Sequence, residues 1–189
     1  HLLRLERSAR AIALQLPYSL QQVAEFIAAT VNAANFDNGY LRVVITRGAG
    51  SLGIDPRNCA QPDFFVIADT LQMVKAEARE NGARLIIAST RRLPMDGLDP
   101  RVKSLNYLNH ILARIEANQA GMDEAILLNR NGHVAEGTAD NIFMVHNGVL
   151  LTPPVSDGSL EGITRNLIIE LAQRNQIPLQ EKSIAPYDL

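Results

Sequence analysis

The feature that most constrains this chain is a change of hydrophobic period across the loop "RLPMDGLDP", residues 92–100. Beyond residue 122 come four short apolar runs, "DEAILLN", "HVAEG", "NIFMVHN" and "VLLTP". The turns "RNG" and "NG" punctuate them, which is the sequence signature of a β-meander. Ahead of the loop, helical and strand-like periods alternate. The pattern therefore predicts an α/β first part and a β-rich second part, and it contains no internal repeat.

The individual elements follow from the same reading. Residues 2–15 carry apolar positions at helical spacing, and Pro17 ends the run. Ser19 is placed to cap a second helix, "LQQVAEFIAATVNAA". "NFDNG" is a turn, and "YLRVVIT" (40–46) is a strand by its β-branched content. Residues 47–58 hold three glycines and a proline and form a loop, and "DFFVIAD" (63–69) is a short buried strand. A helix is expected over 70–81 and ends at Gly82. A strand is expected over 83–90. A helix over 104–120 places Leu108, Ile111, Leu112 and Ile115 on one apolar face. A last helix, 163–174, precedes the strand-like "IPLQEKSI".

Composition narrows the classes. A chain of 189 residues suits one large or two small domains, and at that size it buries roughly two thirds of its extended surface without disulfide staples. The net charge of −2 offers no basic footprint for nucleic acid. No apolar run approaches the ~20 residues that span a membrane, and none reads as a signal peptide. The single cysteine, Cys59, has no internal partner and reads as a passive thiol in a reducing, cytoplasmic compartment. No metal is expected. The chain opens inside a helical pattern without an initiator methionine and closes on "SIAPYDL" with no stop signal. The expectation is that both ends are cut from a longer protein.

Read alone, Lys103 is a solvated charge ahead of a helix, and Glu136 is a solvated carboxylate in a turn. Their company changes that reading. Gly162, Ile163 and Thr164 begin a helix, where backbone N–H groups and the positive dipole end favour an anion. Arg4 is a bidentate phosphate ligand in waiting. An amine, a carboxylate, a helix-start cradle and an arginine are the parts that hold pyridoxal 5'-phosphate. Spacing alone does not show that they converge.

Six motifs in order, "HLLRLERSA", "YLRVVITRGAGSLGIDPRNC", "KSLNYLN", "EAILLNRNGHVAEGTADNIF", "LLTPP" and "LEGITR", resemble the class IV aminotransferases. These are pyridoxal-phosphate enzymes of fold type IV, and the branched-chain amino acid group is the nearest. The resemblance implies a two-domain α/β (α+β) fold, with a small domain over 1–68, a connector over 69–79 and a larger cofactor-binding domain over 80–189. The cofactor would lie in the cleft between them.

The resemblance also implies roles. Lys103 is the catalytic lysine, bonded to the cofactor aldehyde and then moving the α-proton; burial beside a cationic ring helps such an amine shed its own proton. Glu136 faces the pyridine nitrogen. Arg4, Ile163 and Thr164 hold the phosphate with Gly162, Leu160 packs on the ring, and Tyr107 bonds its phenolic oxygen. Tyr40 binds the substrate α-carboxylate and Arg42 the distal carboxylate of glutamate. The two share one face of a strand. Leu52 and Ile54, in the loop 47–56, line an apolar side-chain pocket in the neighbouring subunit of a homodimer, where each methylene contributes discrimination of about 1–3 kcal/mol.

The implied reaction is amino transfer from leucine, isoleucine or valine to 2-oxoglutarate. Rivals on the same fold are a D-amino acid aminotransferase, an R-selective amine transaminase and a 4-amino-4-deoxychorismate lyase. A different class is a non-catalytic binding or scaffolding domain.

Overall fold

The computed structural model describes residues 1–35, 37–70 and 80–189. The helix read over 70–81 and the connector at 69–79 fall largely outside that set. The chain divides into two compact units, His1–Ala76 and Glu77–Leu189.

The first unit carries α1 (Leu2–Ala11), α2 (Leu20–Ala34), β1 (Tyr40–Thr46) and β2 (Asp63–Asp69). Helix α1 is four residues shorter than its apolar pattern. Ala13 turns left-handed at φ 51, and the Arg47 guanidinium donates to the carbonyls of Ile12 and Ala13. Late carbonyls of the helix are met by the backbone, Ala9 O by Ile12 N and Leu14 N and Arg10 O by Ala13 N, while Arg47 takes the two carbonyls just past its end. Helix α2 starts as read: Ser19 and Gln22 form a reciprocal capping box. Strands β1 and β2 pair antiparallel from Tyr40↔Asp69 to Thr46↔Asp63. Phe26 of α2 meets Phe64 of β2 at 5.8 Å between ring centroids, with Tyr18 edge-on to both.

The second unit holds two three-stranded sheets. In one, β3 (Leu85–Arg91) runs parallel to β4 (Glu124–Leu128), which pairs antiparallel with β5 (Val134–Gly137). In the other, β6 (Met144–His146) and β7 (Val149–Thr152) form a hairpin, and β8 (Leu179–Glu181) joins β7 in parallel. Both turns behave as read. Asn147 and Gly148 adopt φ 49 and 76 between β6 and β7, as a two-residue hairpin requires. The Asn129 side chain accepts from the backbone of Asn131 and His133 between β4 and β5.

The meander does not extend across all four strands. After β5, Thr138 donates through its backbone and hydroxyl to Glu124 Oε1, and Gly137 N donates to Asp140 O. These bonds turn the chain out of the first sheet, so β6 opens the second.

Strand β4 is buried on both faces. Ala125 and Leu127 pack with Ala88 and with Ala113 and Ala117 of α3 (Leu108–Gln119). Ile126 and Leu128 pack with Val134, Leu151 and Ile184. Alternating directions of successive side chains place one set in each layer. The Ile184 carbonyl also accepts from Val134 N.

Helix α3 departs from its reading in two ways. It begins at Leu108, with Tyr107 at the N-cap, because 101–107 is irregular. Its buried face is the alanine face. Leu108, Ile111, Leu112 and Ile115 remain 63%, 51%, 46% and 43% exposed. The small face lets the helix lie close on the sheet, and Glu116 staples it there, accepting from the backbone and hydroxyls of Ser89 and Thr90. Those donors hold its carboxyl down to about 2. Helix α4 (Ile163–Arg174) matches its reading.

Candidate active site

A cleft in the second unit is lined by Arg92, Lys103, Tyr107, His110, Glu136 and Leu160, among others. Four of these come from the sequence reading: Lys103, Tyr107, Glu136 and Leu160. Residues far apart in sequence are brought to one place by the irregular stretch before α3, the end of β5 and the approach to α4.

Glu136 lies on β5, and its side chain is only 6% exposed. Oε1 accepts from Arg92 Nε at 2.8 Å and lies 3.2 Å from His110 Nε2. Oε2 accepts from Leu160 N at 2.8 Å. Arg92, 7% exposed in its side chain, also donates to Gly158 O and to Asn109 Oδ1. Asn109 in turn donates to Arg91 O. A buried carboxylate beside one buried guanidinium, with further hydrogen bonds on both, is the arrangement in which an ion pair tolerates desolvation.

Sequence reasoning missed Arg92 and His110. The pair "RR" at 91–92 gave no sign of which arginine turns inward, and His110 carries no motif of its own.

Lys103 differs from expectation. Its side chain is exposed, because it stands on the irregular stretch and not on a packed element. Its Nζ donates to Tyr107 Oη at 2.7 Å and lies 5.4 Å from the ring centroid.

The cradle is built around a glycine. A Cβ at Gly162 would fall 2.0 Å from Asn141 Oδ1, so only glycine allows that approach. Asn141 ties the same loop to the cleft by donating to Leu160 O at 2.9 Å. Gly162 is the N-cap of α4, and no side chain caps the helix. The first backbone N–H groups, at Ile163 and Thr164, have no intrahelical acceptor.

The remaining candidates lie in the first unit. Arg4 is half-buried on α1. Tyr40 and Arg42 share a face of β1, with the guanidinium 5.7 Å from the Tyr40 ring centroid. Leu52 and Ile54 are fully exposed on their loop among the described residues, and so are not packed into an apolar pocket there.

Comparison with known proteins identifies the family. The family described as amino-transferase class IV matches residues 1–189. A Methanocaldococcus jannaschii protein, provisionally named a branched-chain-amino-acid aminotransferase, is 46% identical over 189 residues, covering 100% of this chain and 65% of that protein. The D-alanine aminotransferase of Listeria monocytogenes is 35% identical over 191 residues, covering 100% of this chain and 64% of that protein. A solved branched-chain amino acid aminotransferase of T.th., complexed with N-(5'-phosphopyridoxyl)-L-glutamate, aligns with a TM-score of 0.90 at 32% identity. That alignment covers 100% of this chain and 61% of that one. The chain thus spans just under two thirds of the length of these proteins.

Proposed function

The chain belongs to the class IV aminotransferases, and from that premise we propose that it forms the core of a pyridoxal-phosphate transaminase acting on branched-chain L-amino acids and 2-oxoglutarate. The observation that carries this reading is that Lys103 and Glu136 line one cleft.

The residues present fit the cofactor. A carboxylate offers about four acceptor positions, and three donors reach Glu136. One position remains for a protonated ring nitrogen. The missing Cβ at Gly162 and the uncapped start of α4 suit a phosphate. Lys103, Tyr107, Glu136, Leu160, Gly162, Ile163 and Thr164 would hold the group, with Arg4 a ligand of its phosphate. When bound, the cofactor supplies an aldehyde that exchanges with the substrate amine and a ring that takes up electron density as the α-proton leaves.

The chain's own residues do the rest. Lys103 Nζ takes the α-proton and returns it to the neighbouring carbon. Tyr107 Oη, within hydrogen-bond distance of that amine, orients it. Glu136, held in place by Arg92, would face the ring nitrogen and favour its protonated form. Tyr40 and Arg42 would receive the two carboxylates of glutamate. Leu52 and Ile54, exposed on their loop, would complete the site of a second subunit in a homodimer.

The test is chemical. Incubation with pyridoxal phosphate followed by borohydride should leave a pyridoxyl mass on the peptide carrying Lys103. Turnover should favour L-leucine over D-leucine. An unlabelled Lys103 overturns the reading, and D-leucine preference moves it to the D-amino acid aminotransferases.

A further inference from the structure

We propose that His110 is a positioning residue that locks the Glu136 carboxylate by donating from Nε2, as a neutral imidazole. This rests on the reading that Glu136 meets the ring nitrogen of the cofactor.

His110 Nε2 lies 3.2 Å from Glu136 Oε1, and the His110 side chain is 15% exposed. Its other ring nitrogen, Nδ1, is buried without a hydrogen-bond partner among the described residues. A proton on Nδ1 would therefore be a buried donor with nothing to accept it. A lone pair there is less costly than an unpaired N–H on a charged ring. The geometry selects the tautomer with hydrogen on Nε2.

Arg92 holds the same carboxylate oxygen from another segment, Nε to Oε1 at 2.8 Å, so the imidazole completes a grip from two elements.

His110 also reaches the other side of the cleft. It lies one helical turn beyond Tyr107, and their rings sit 5.2 Å apart at 40°. Tyr107 holds the Lys103 amine. One imidazole thus touches both the carboxylate and the tyrosine that orients the lysine.

Ring ¹⁵N correlation spectra of the cofactor-free protein decide the tautomer. Hydrogen on Nε2 with a bare Nδ1 is expected, and hydrogen on Nδ1 overturns the proposal whatever the variants do. The second arm measures binding of pyridoxal phosphate and of its 1-deaza analogue, which has carbon in place of the ring nitrogen. His110→Phe should weaken pyridoxal phosphate about tenfold, the effect of one hydrogen bond to a charged group, and leave the deaza analogue unchanged. His110→Gln, which keeps an N–H donor, should restore wild-type binding.

Equal loss for both ligands, or failure of His110→Gln to rescue, overturns the proposal. Glu136→Ala separates the two readings. If it binds pyridoxal phosphate as the wild type does, the reading of Glu136 fails, and the role proposed for His110 toward the cofactor fails with it. If Glu136→Ala weakens binding and His110→Phe does not, only the inference about His110 fails.

Discussion

The two sides of the cleft are built on different principles. Glu136 is buried on a strand and is reached by donors from three separate segments, around residues 92, 110 and 160. Lys103 is exposed on an irregular stretch, and its amine bonds a tyrosine only four residues further along. The carboxylate is fixed by the tertiary fold. The amine stands on the surface and bonds within its own stretch of chain.

That contrast can be broken by substitution. Lys103→Ala should lower kcat for transamination by on the order of 10³-fold or more, while its melting temperature stays within about 2 °C of wild type, as for most exposed sites. Glu136→Ala should do the reverse in stability. It strands a buried guanidinium, a loss of about 3–5 kcal/mol, which thermal unfolding should register as a fall on the order of 10 °C. Equal melting temperatures for the two variants would refute the contrast.

Tyr107→Phe probes the lysine side more gently. Loss of its hydroxyl should cost kcat about tenfold and leave the unfolding curve in place. The smallest effect is expected at Glu116. Its carboxyl is held near 2 by Thr90 and Ser89, below the ordinary glutamate value of about 4.3. A depressed value in the fold stabilises above the unfolded value, and that contribution is lost as pH falls from about 4.3 through 2. Glu116→Gln should therefore melt about 2–4 °C lower at pH 7, with the gap closing toward pH 2 in pH-dependent unfolding scans.

Much of this was legible in the sequence. Strands 40–46 and 63–69 and the helix 163–174 stand at the residues their patterns gave. But 63–69 is not the buried strand its apolar run predicted: Phe65 and Ile67 are 49% and 51% exposed, since one face of this two-stranded sheet is left open. Lys103, Tyr107, Glu136 and Leu160 could be named from motif order, and they share a cleft. What stayed hidden depends on long-range pairing. Arg92 meets Glu136 across 44 residues, and no local pattern marks such a contact. The turns of the β-rich part were readable, yet which strand pairs with which was settled by the side chain of Glu124 gripping Thr138.

The buried face of α3 was misread for a related reason. Alanines at 113 and 117 look neutral in a hydropathy pattern, while the leucines and isoleucines that dominate it stay exposed. Packing there was decided by how closely two backbones could approach, a quantity that apolar periodicity does not record.

Ile184 lies almost fifty residues beyond Glu136, and its side chain and carbonyl are both engaged with Val134, two residues before that glutamate. The segment around Ile184 therefore braces the strand that carries the carboxylate. Ile184→Ala would open a cavity against Val134 and loosen that strand without altering any residue that lines the cleft.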